Sequence, residues 1–363
     1  MPEIKSRDIA IALDMYGCPN RCRHCWLGCP PNRRMTKKDL RWAATQFRNY
    51  VPRGKQPFID KLSVMSWFRE PDFSDDYEQL YELEAELSDG KPYRFELLSI
   101  WRLARDKKYA KLARKVGPDT CQITFFGTEE TNDWFYRRRG AFQDNLTATE
   151  RLLDIGIKPR WQIFLTQKII PEIGELLNIV ERLKLRDRVK SLGGDFDLFM
   201  HTPGPDGEAR TIEYLRPTLE DTKSIPGEII ESSKKHFNVE KLWYTEEELI
   251  SQILTEKEVF PYAYSYPKIL CFYIKNNWDV FSNMGTLEPW WKLGNLRMDS
   301  LQSIFDNFES NRVIGLKTIF TVSIKELAKH FGSPKSRHIY SDRSDLEALF
   351  VGKYCEQVYL NSR

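Results

Sequence analysis

Residues 17–29 read GCPNRCRHCWLGC and gather four of the chain's seven cysteines, Cys18, Cys22, Cys25 and Cys29, into twelve positions. A structural zinc site closes a tetrahedron of Cys or His ligands, commonly from two paired knuckles. No second pair stands at useful spacing here: Cys121, Cys271 and Cys355 are scattered, and the chain has only five histidines. An odd number of cysteines argues against a disulfide framework. Pro19, Asn20, Arg21 and Gly28 interleave the cluster, so it offers no apolar face on which cysteines would pack as small hydrophobes. Cys18, Cys22 and Cys25 form C-x3-C-x2-C. Three close thiolates in a loop of this kind suit a [4Fe–4S] cluster with one iron left for an external ligand. Cys29 reads as a neighbouring thiol or a packing residue.

The rest of the chain bounds the answer. Its 363 residues leave room for one large domain or two ordinary ones, and 41% hydrophobic content supports a sizeable core. Net charge is only +3, which gives no global reason to expect nucleic acid or a membrane surface as partner. The opening MPEIKSRDIAIALDMYGC carries no uninterrupted apolar signal region, and runs such as ILCFYI (269–274) are too short to cross a bilayer, so a cytoplasmic protein is expected. Strands are expected at 9–15, 61–67, 95–100, 121–126, 160–166 and 195–200, and helices at 36–51, 75–87, 109–116, 141–156 and 171–185. That alternation predicts right-handed βαβ units, an α/β fold and a parallel sheet. Beyond HTPGPDGEAR (201–210) the rhythm gives way to charged helical segments, an aromatic patch and a last helix at 344–359.

With its cysteine triad just past the first strand of a βα array, the chain resembles the radical S-adenosylmethionine (radical SAM) enzymes. The resemblance covers roughly residues 9–200 and continues downstream of the triad. His24 stands where that family usually has an aromatic side chain near the adenine. Trp67-Phe68-Arg69-Glu70-Pro71 stands where the family carries Gly-Gly-Glu-Pro, whose carboxylate holds the cofactor's amino group; only Glu70 and Pro71 are retained. Ser99 falls where a polar residue lines the site, and Thr124 would face the ribose or methionyl portion. In QITFFGTEETNDWFYRRRGAF one arginine of Arg137, Arg138 and Arg139 would pair with the cofactor carboxylate, with Arg137 and Arg139 taken as the candidates. All of these fall at or beyond expected strand ends, where parallel sheets hold cofactors. The resemblance implies a partial (β/α)6 TIM-like barrel, a [4Fe–4S] cluster on Cys18, Cys22 and Cys25, S-adenosylmethionine as cofactor, and an electron donor such as flavodoxin or ferredoxin.

Residues 267–306 resemble the SPASM or twitch segment that follows some radical SAM domains. Cys271 keeps the first cysteine position, Ser282 stands near the second, and Gly294-Asn295-Leu296 keeps a phrase that leads into a helix. With so few cysteines left, this implies a smaller α+β capping region without an auxiliary cluster. The domains are therefore drawn at 1–215 and 216–363. The expected activity is hydrogen-atom abstraction from a peptide or a small natural product. Only 17 residues precede Cys18, too few for a leader-recognition domain. A nucleic-acid-modifying enzyme and a non-enzymatic zinc scaffold are the competing readings. Cys29, Cys121, Cys271 and Cys355 are candidate hydrogen-atom donors or plain buried thiols. His201 stands at the expected substrate-facing rim. Tyr262, Tyr264, Tyr266, Trp290 and Trp291 line either a pocket or the core of the second region.

Overall fold

The computed structural model describes residues 7–52, 58–90, 97–257, 260–261, 267–310 and 312–363. Its first strand, β1 (Asp8–Leu13), lies between β2 (Lys61–Met65) and β7 (Leu270–Ile274) in a five-stranded sheet ordered β2-β1-β7-β8-β9, with β8 (Asp279–Ser282) and β9 (Gly294–Asn295). β1 runs parallel to both neighbours, pairing Ile9 with Leu62 on one side and with Leu270 on the other. Being covered on both faces, it reads as the near-continuous apolar run IAIAL. β7, β8 and β9 form an antiparallel meander. A second sheet, all parallel, has the order β3-β4-β5, from β3 (Thr120–Phe125), β4 (Lys158–Phe164) and β5 (Leu198–His201). The two-residue strands β6 (Tyr244–Thr245) and β10 (Ile339–Tyr340) pair with each other. Among the described residues the sheets do not close into one barrel; the fold is α/β with two larger separate sheets and the short β6–β10 pair.

Helices fill the crossovers. The first half contributes α1 (Lys37–Arg48), α2 (Tyr77–Leu87), α3 (Ile100–Arg105), α4 (Tyr109–Val116), α5 (Glu129–Tyr136), α6 (Ala141–Asp154), α7 (Ile173–Arg182) and α8 (Leu185–Ser191). After these come α9 (Gly227–Phe237), α10 (Glu246–Thr255), α11 (Leu301–Glu309), α12 (Ile314–Thr321), α13 (Ile324–Phe331) and α14 (Arg343–Asn361). Local chemistry sets several of their starts. Thr36 and Asp39 close a capping box on α1, and Thr245 with Glu248 does the same for α10. No described helix is long and apolar enough to cross a membrane.

One expected strand is absent. Of residues 95–100, the first two lie outside the described residues, Leu97–Ser99 make no sheet pairing, and Ile100 already begins α3. The reason is the Ser99 hydroxyl, which accepts from the Arg102 N–H at 3.1 Å and so caps a helix where periodicity reads as β. Tyr262, Tyr264 and Tyr266 also lie outside the described residues. Trp290 and Trp291 are buried within a core cluster.

The buried side chains form two clusters that do not follow chain order. One joins β1, α1 and β2 to residues 249–355, and includes Phe47 packed on Phe272 and Phe272 on Phe305, with ring centroids 5.4 and 5.2 Å apart. The other is built largely of residues 77–230. The first is locked by a polar knot. Asp14, one residue past β1, meets Arg69 at 3.0 Å, both side chains almost fully buried. Arg69 also donates to the Pro30 carbonyl at 3.0 Å, and Asn276, just after β7, donates to Asp14 at 3.1 Å. Removing one partner of a buried ion pair leaves an uncompensated charge, typically costing about 3–5 kcal/mol. Arg69→Met is therefore expected to lower the unfolding free energy by about that amount in urea titrations. Adding Asp14→Asn should recover much of the loss; strictly additive losses would show that the two groups are not coupled.

Candidate active site

Just past the Asp14–Arg69 knot the chain enters the cysteine loop, which the rest of the fold holds at several points. Gly17 adopts φ +85°, and a Cβ there would sit 2.1 Å from Asn32 Oδ1 and 2.7 Å from Arg69 Nη2, so only glycine fits. Asn32 then clasps Cys18, accepting from its N–H at 3.2 Å and donating to its carbonyl at 3.0 Å. The end of α5 supplies a second anchor, with the Arg21 and Arg23 N–H groups donating to the Tyr136 and Phe135 carbonyls at 3.1 and 2.8 Å. Arg23 also lies over the Trp134 ring at 4.0 Å. Gly207 provides the third, its Cα lying so near the loop that a Cβ would be 2.5 Å from the Cys25 carbonyl.

Held in this way, the thiols of Cys18, Cys22, Cys25 and Cys29 are near enough to perturb one another. Burial pushes Cys18 up, and it pushes Cys22 up as well, with help from the charges of Cys18 and Glu70. Cys25 donates its proton in a hydrogen bond to Cys29, which raises Cys25 and draws the half-buried Cys29 down to about 7. Such thiols need a bound cation to become thiolates, which is what a metal centre supplies. Among the described residues no three His, Cys, Asp or Glu side chains meet closely enough to hold a single metal ion.

Glu70 is the carboxylate that faces this loop. It is partly buried, desolvation pushes it up to about 7, and its Oε1 accepts from Ser99 Oγ at 2.7 Å and from the Trp101 N–H at 3.4 Å. Ser99 thus reaches the site as the cap of α3, one hydroxyl serving both the helix and Glu70. His24 lies between Phe126 and Phe164, at centroid distances of 4.4 and 4.7 Å. Burial lowers it to about 3, so its ring is neutral, and its Nδ1 has no hydrogen-bond partner. Thr124, on β3, donates to Gln162 at 3.1 Å, and its carbonyl accepts from Tyr136 and Asn145.

The three arginines divide. Arg138 points inward: it pairs with Asp144 at 2.6 Å, donates to Asn20 in the cysteine loop, and its charge reaches Glu70. Arg137 ends α5 in a left-handed conformation and pairs with Glu208 at 2.9 Å, its charge felt by Cys29. Arg139 is exposed. His201 ends β5, largely buried, with its ring 6.0 Å from that of Phe237. Sequence reasoning missed Asp14 and Arg69, whose signal was a charged residue just past each of two strands. Cys121 and Cys355 are fully buried in the two cores.

No family model matches the sequence, and no curated protein matches it either. Solved structures do. Native anSMEcpe with bound AdoMet superposes with a TM-score of 0.56, at 12% identity, over 98% of each chain. Native anSMEcpe with bound AdoMet and Cp18Cys peptide gives 0.54 at 13% identity, again over 98% of each chain. The chain shares the fold of these two solved structures. In this fold the loop after β1 carries the cysteine triad, and the loop after β2 carries Glu70 beside it.

A loop following β5 carries a further buried carboxyl. Burial and the neighbouring Glu288 push Asp206 up to about 7, against the pull of Arg210. A raised carboxyl favours the folded state fully below its unfolded value of 3.8 and loses that contribution as pH climbs to about 7. Asp206→Asn, which imitates the protonated acid, should therefore stabilise the protein on the order of 2 kcal/mol at pH 8 and not at pH 3.5. Urea titrations at the two pH values check this; an equal effect at both would show that the carboxyl titrates alike in the folded and unfolded states.

Proposed function

We propose that the chain is a radical SAM enzyme that holds a [4Fe–4S] cluster on Cys18, Cys22 and Cys25 and binds S-adenosylmethionine between that loop and Glu70. Bound together, these groups supply the one-electron cleavage that gives methionine and a 5′-deoxyadenosyl radical, which takes a hydrogen atom from the substrate. The observation that carries the reading is a partly buried carboxylate, held by Ser99 and the start of α3, whose charge reaches Cys18 and Cys22 in the loop beyond parallel strand β1.

The chain's own groups then have distinct tasks. Glu70, with Oε1 fixed by Ser99 and Trp101, receives an ammonium group and regains its charge by doing so. His24 offers a neutral flat ring and one open polar atom, Nδ1, to the adenine. Thr124 faces the ribose or methionyl part. Arg138 serves as the guanidinium for the cofactor carboxylate in place of Arg137 and Arg139, because it points inward to Asn20 of the cysteine loop and its charge reaches Glu70. Cys29 stays outside the ligand set, hydrogen-bonded to Cys25, which would be one of the three residues holding the cluster.

In the same reading the parallel strands β1 to β5 of residues 1–215, with β7 beside β1, are staves of a partial barrel. Residues 216–363 act as a cap of SPASM or twitch type without an auxiliary cluster. The substrate is a peptide, supported by the fold shared with anSMEcpe, whose solved structure holds the Cp18Cys peptide; a small natural product is the alternative. The electron comes from a low-potential carrier such as flavodoxin or ferredoxin, in the cytoplasm.

Anaerobic reconstitution with iron and sulfide, followed by reduction with dithionite in the presence of S-adenosylmethionine, tests the reading. Wild-type protein should turn brown and release 5′-deoxyadenosine, Cys22→Ala should do neither, and Cys29→Ala should keep the iron content of wild type. A colourless wild-type protein would overturn the assignment, and loss of iron in Cys29→Ala would overturn the ligand set. Glu70→Gln should weaken S-adenosylmethionine binding to the reconstituted protein by tenfold or more, on the order of 1.4 kcal/mol. In the same equilibrium titration Arg139→Ala should bind as wild type does.

A further inference from the structure

Beneath the turn formed by Trp26 and Leu27 lies a cavity of about 520 Å³ on the inner face of the β2-β1-β7 sheet. Its floor is unusual for a core. Ala10 pairs in register with Ser63 on one side and Cys271 on the other, and Ala12 continues the row, so three adjacent strands present small side chains at one level. The opposite face of β1 carries Ile9, Ile11 and Leu13, so the small residues mark one face only. Folded interiors are filled to crystal-like density, so a hollow of this size floored by small side chains leaves room for an apolar guest. The walls are aromatic, with Tyr273 packed edge-on to both Trp26 and Phe68 at 5.7 and 5.5 Å. No described lining residue bears a charge. Trp26, Leu97 and Ile269 at the rim are 43%, 40% and 49% exposed, leaving apolar surface where a ligand would enter.

We propose that this cavity is a binding site for an uncharged apolar group of aromatic size. Its volume lies within the range of small-molecule pockets. The inference stands apart from the radical reaction, although the roof comes from the loops that carry Cys25 and Glu70 and so places the guest next to them. Cys271 provides the handle for a test, since burial pushes its thiol up to about 12 and keeps it protonated and uniformly slow toward every reagent.

Reconstituted wild-type protein is treated anaerobically with neutral methyl methanethiosulfonate or with its anionic sulfonatoethyl analogue. Modification is followed cysteine by cysteine by mass spectrometry, with rates scaled to a free thiol. Cys271 should react with the neutral reagent at least tenfold faster than Cys121 and Cys355, and at least tenfold faster than with the anionic one. Indole at millimolar concentration should slow Cys271 severalfold, whereas n-butylamine, charged at neutral pH, should not. Ala12→Phe, and separately Ser63→Leu, should slow the neutral reagent by about tenfold by filling the floor. A Cys271 as slow as Cys121 and Cys355, equal rates for both reagents, or a lack of protection by indole on the wild-type protein would each overturn the proposal. None of these readouts requires cleavage of S-adenosylmethionine, so the site and the proposed reaction fail separately.

Discussion

The buried pairing of Asp14 with Arg69 is the constraint on which the candidate site depends. It ties the end of β1 to the end of β2, and through Arg69 it holds Pro30 at the exit of the cysteine loop. Asn276 adds the strand that lies on the other side of β1, donating to Asp14 and to the Pro31 carbonyl. Entry and exit of the loop are therefore fixed to three parallel strands by charged and amide groups that exclude water. A loop of four cysteines with no metal has no apolar reason to adopt one shape. The knot and the Asn32 clasp supply that reason before any cofactor arrives, so less ordering remains to be done on binding.

The same pair accounts for the departure from the family motif. Where the resemblance leads one to expect two glycines before Glu70, the chain has Phe68 and Arg69. Arg69 turns its guanidinium into the knot, and Gly17 makes room for it from the other side. Phe68 packs against Tyr273 and closes the apolar cavity. The two large side chains thus belong to the support beneath the site, and Glu70 keeps its direction because Ser99 and the start of α3 hold it from the opposite side.

How much of this was legible depended on whether a residue's role is local. The triad spacing, the strand ends bearing Glu70 and Thr124, and the capped helices follow from neighbours a few positions away, and the structure places them near where the sequence does. Ser99 was legible as a polar residue near the site but not as a helix cap, since a six-residue apolar run looks the same in either state. Arg138 could not be told from Arg137 and Arg139 because the choice is made by φ. The left-handed turn at Arg137 ends α5 and sends consecutive side chains in different directions. The Asp14–Arg69 contact spans 55 positions and the Asp14–Asn276 contact 262, distances over which periodicity carries no information.

The longest of these contacts also bears on architecture. β7 comes from the last third of the chain, yet it pairs along β1 from Ile9 to Leu13 and contributes Phe272 to the cluster beneath α1. A cap that merely covered strand ends would leave β1 with an open edge of unpaired backbone groups. Here that edge is closed in parallel, and the strand that closes it brings Cys271 and Tyr273 to the inner face beside Ala10 and Ala12. Residues distant in sequence thereby furnish one wall of the space under the cysteine loop. A destabilised β7 would consequently disturb Asp14 through Asn276 and the cavity through Tyr273 together, which makes the C-terminal region part of the site's foundation as well as its cover.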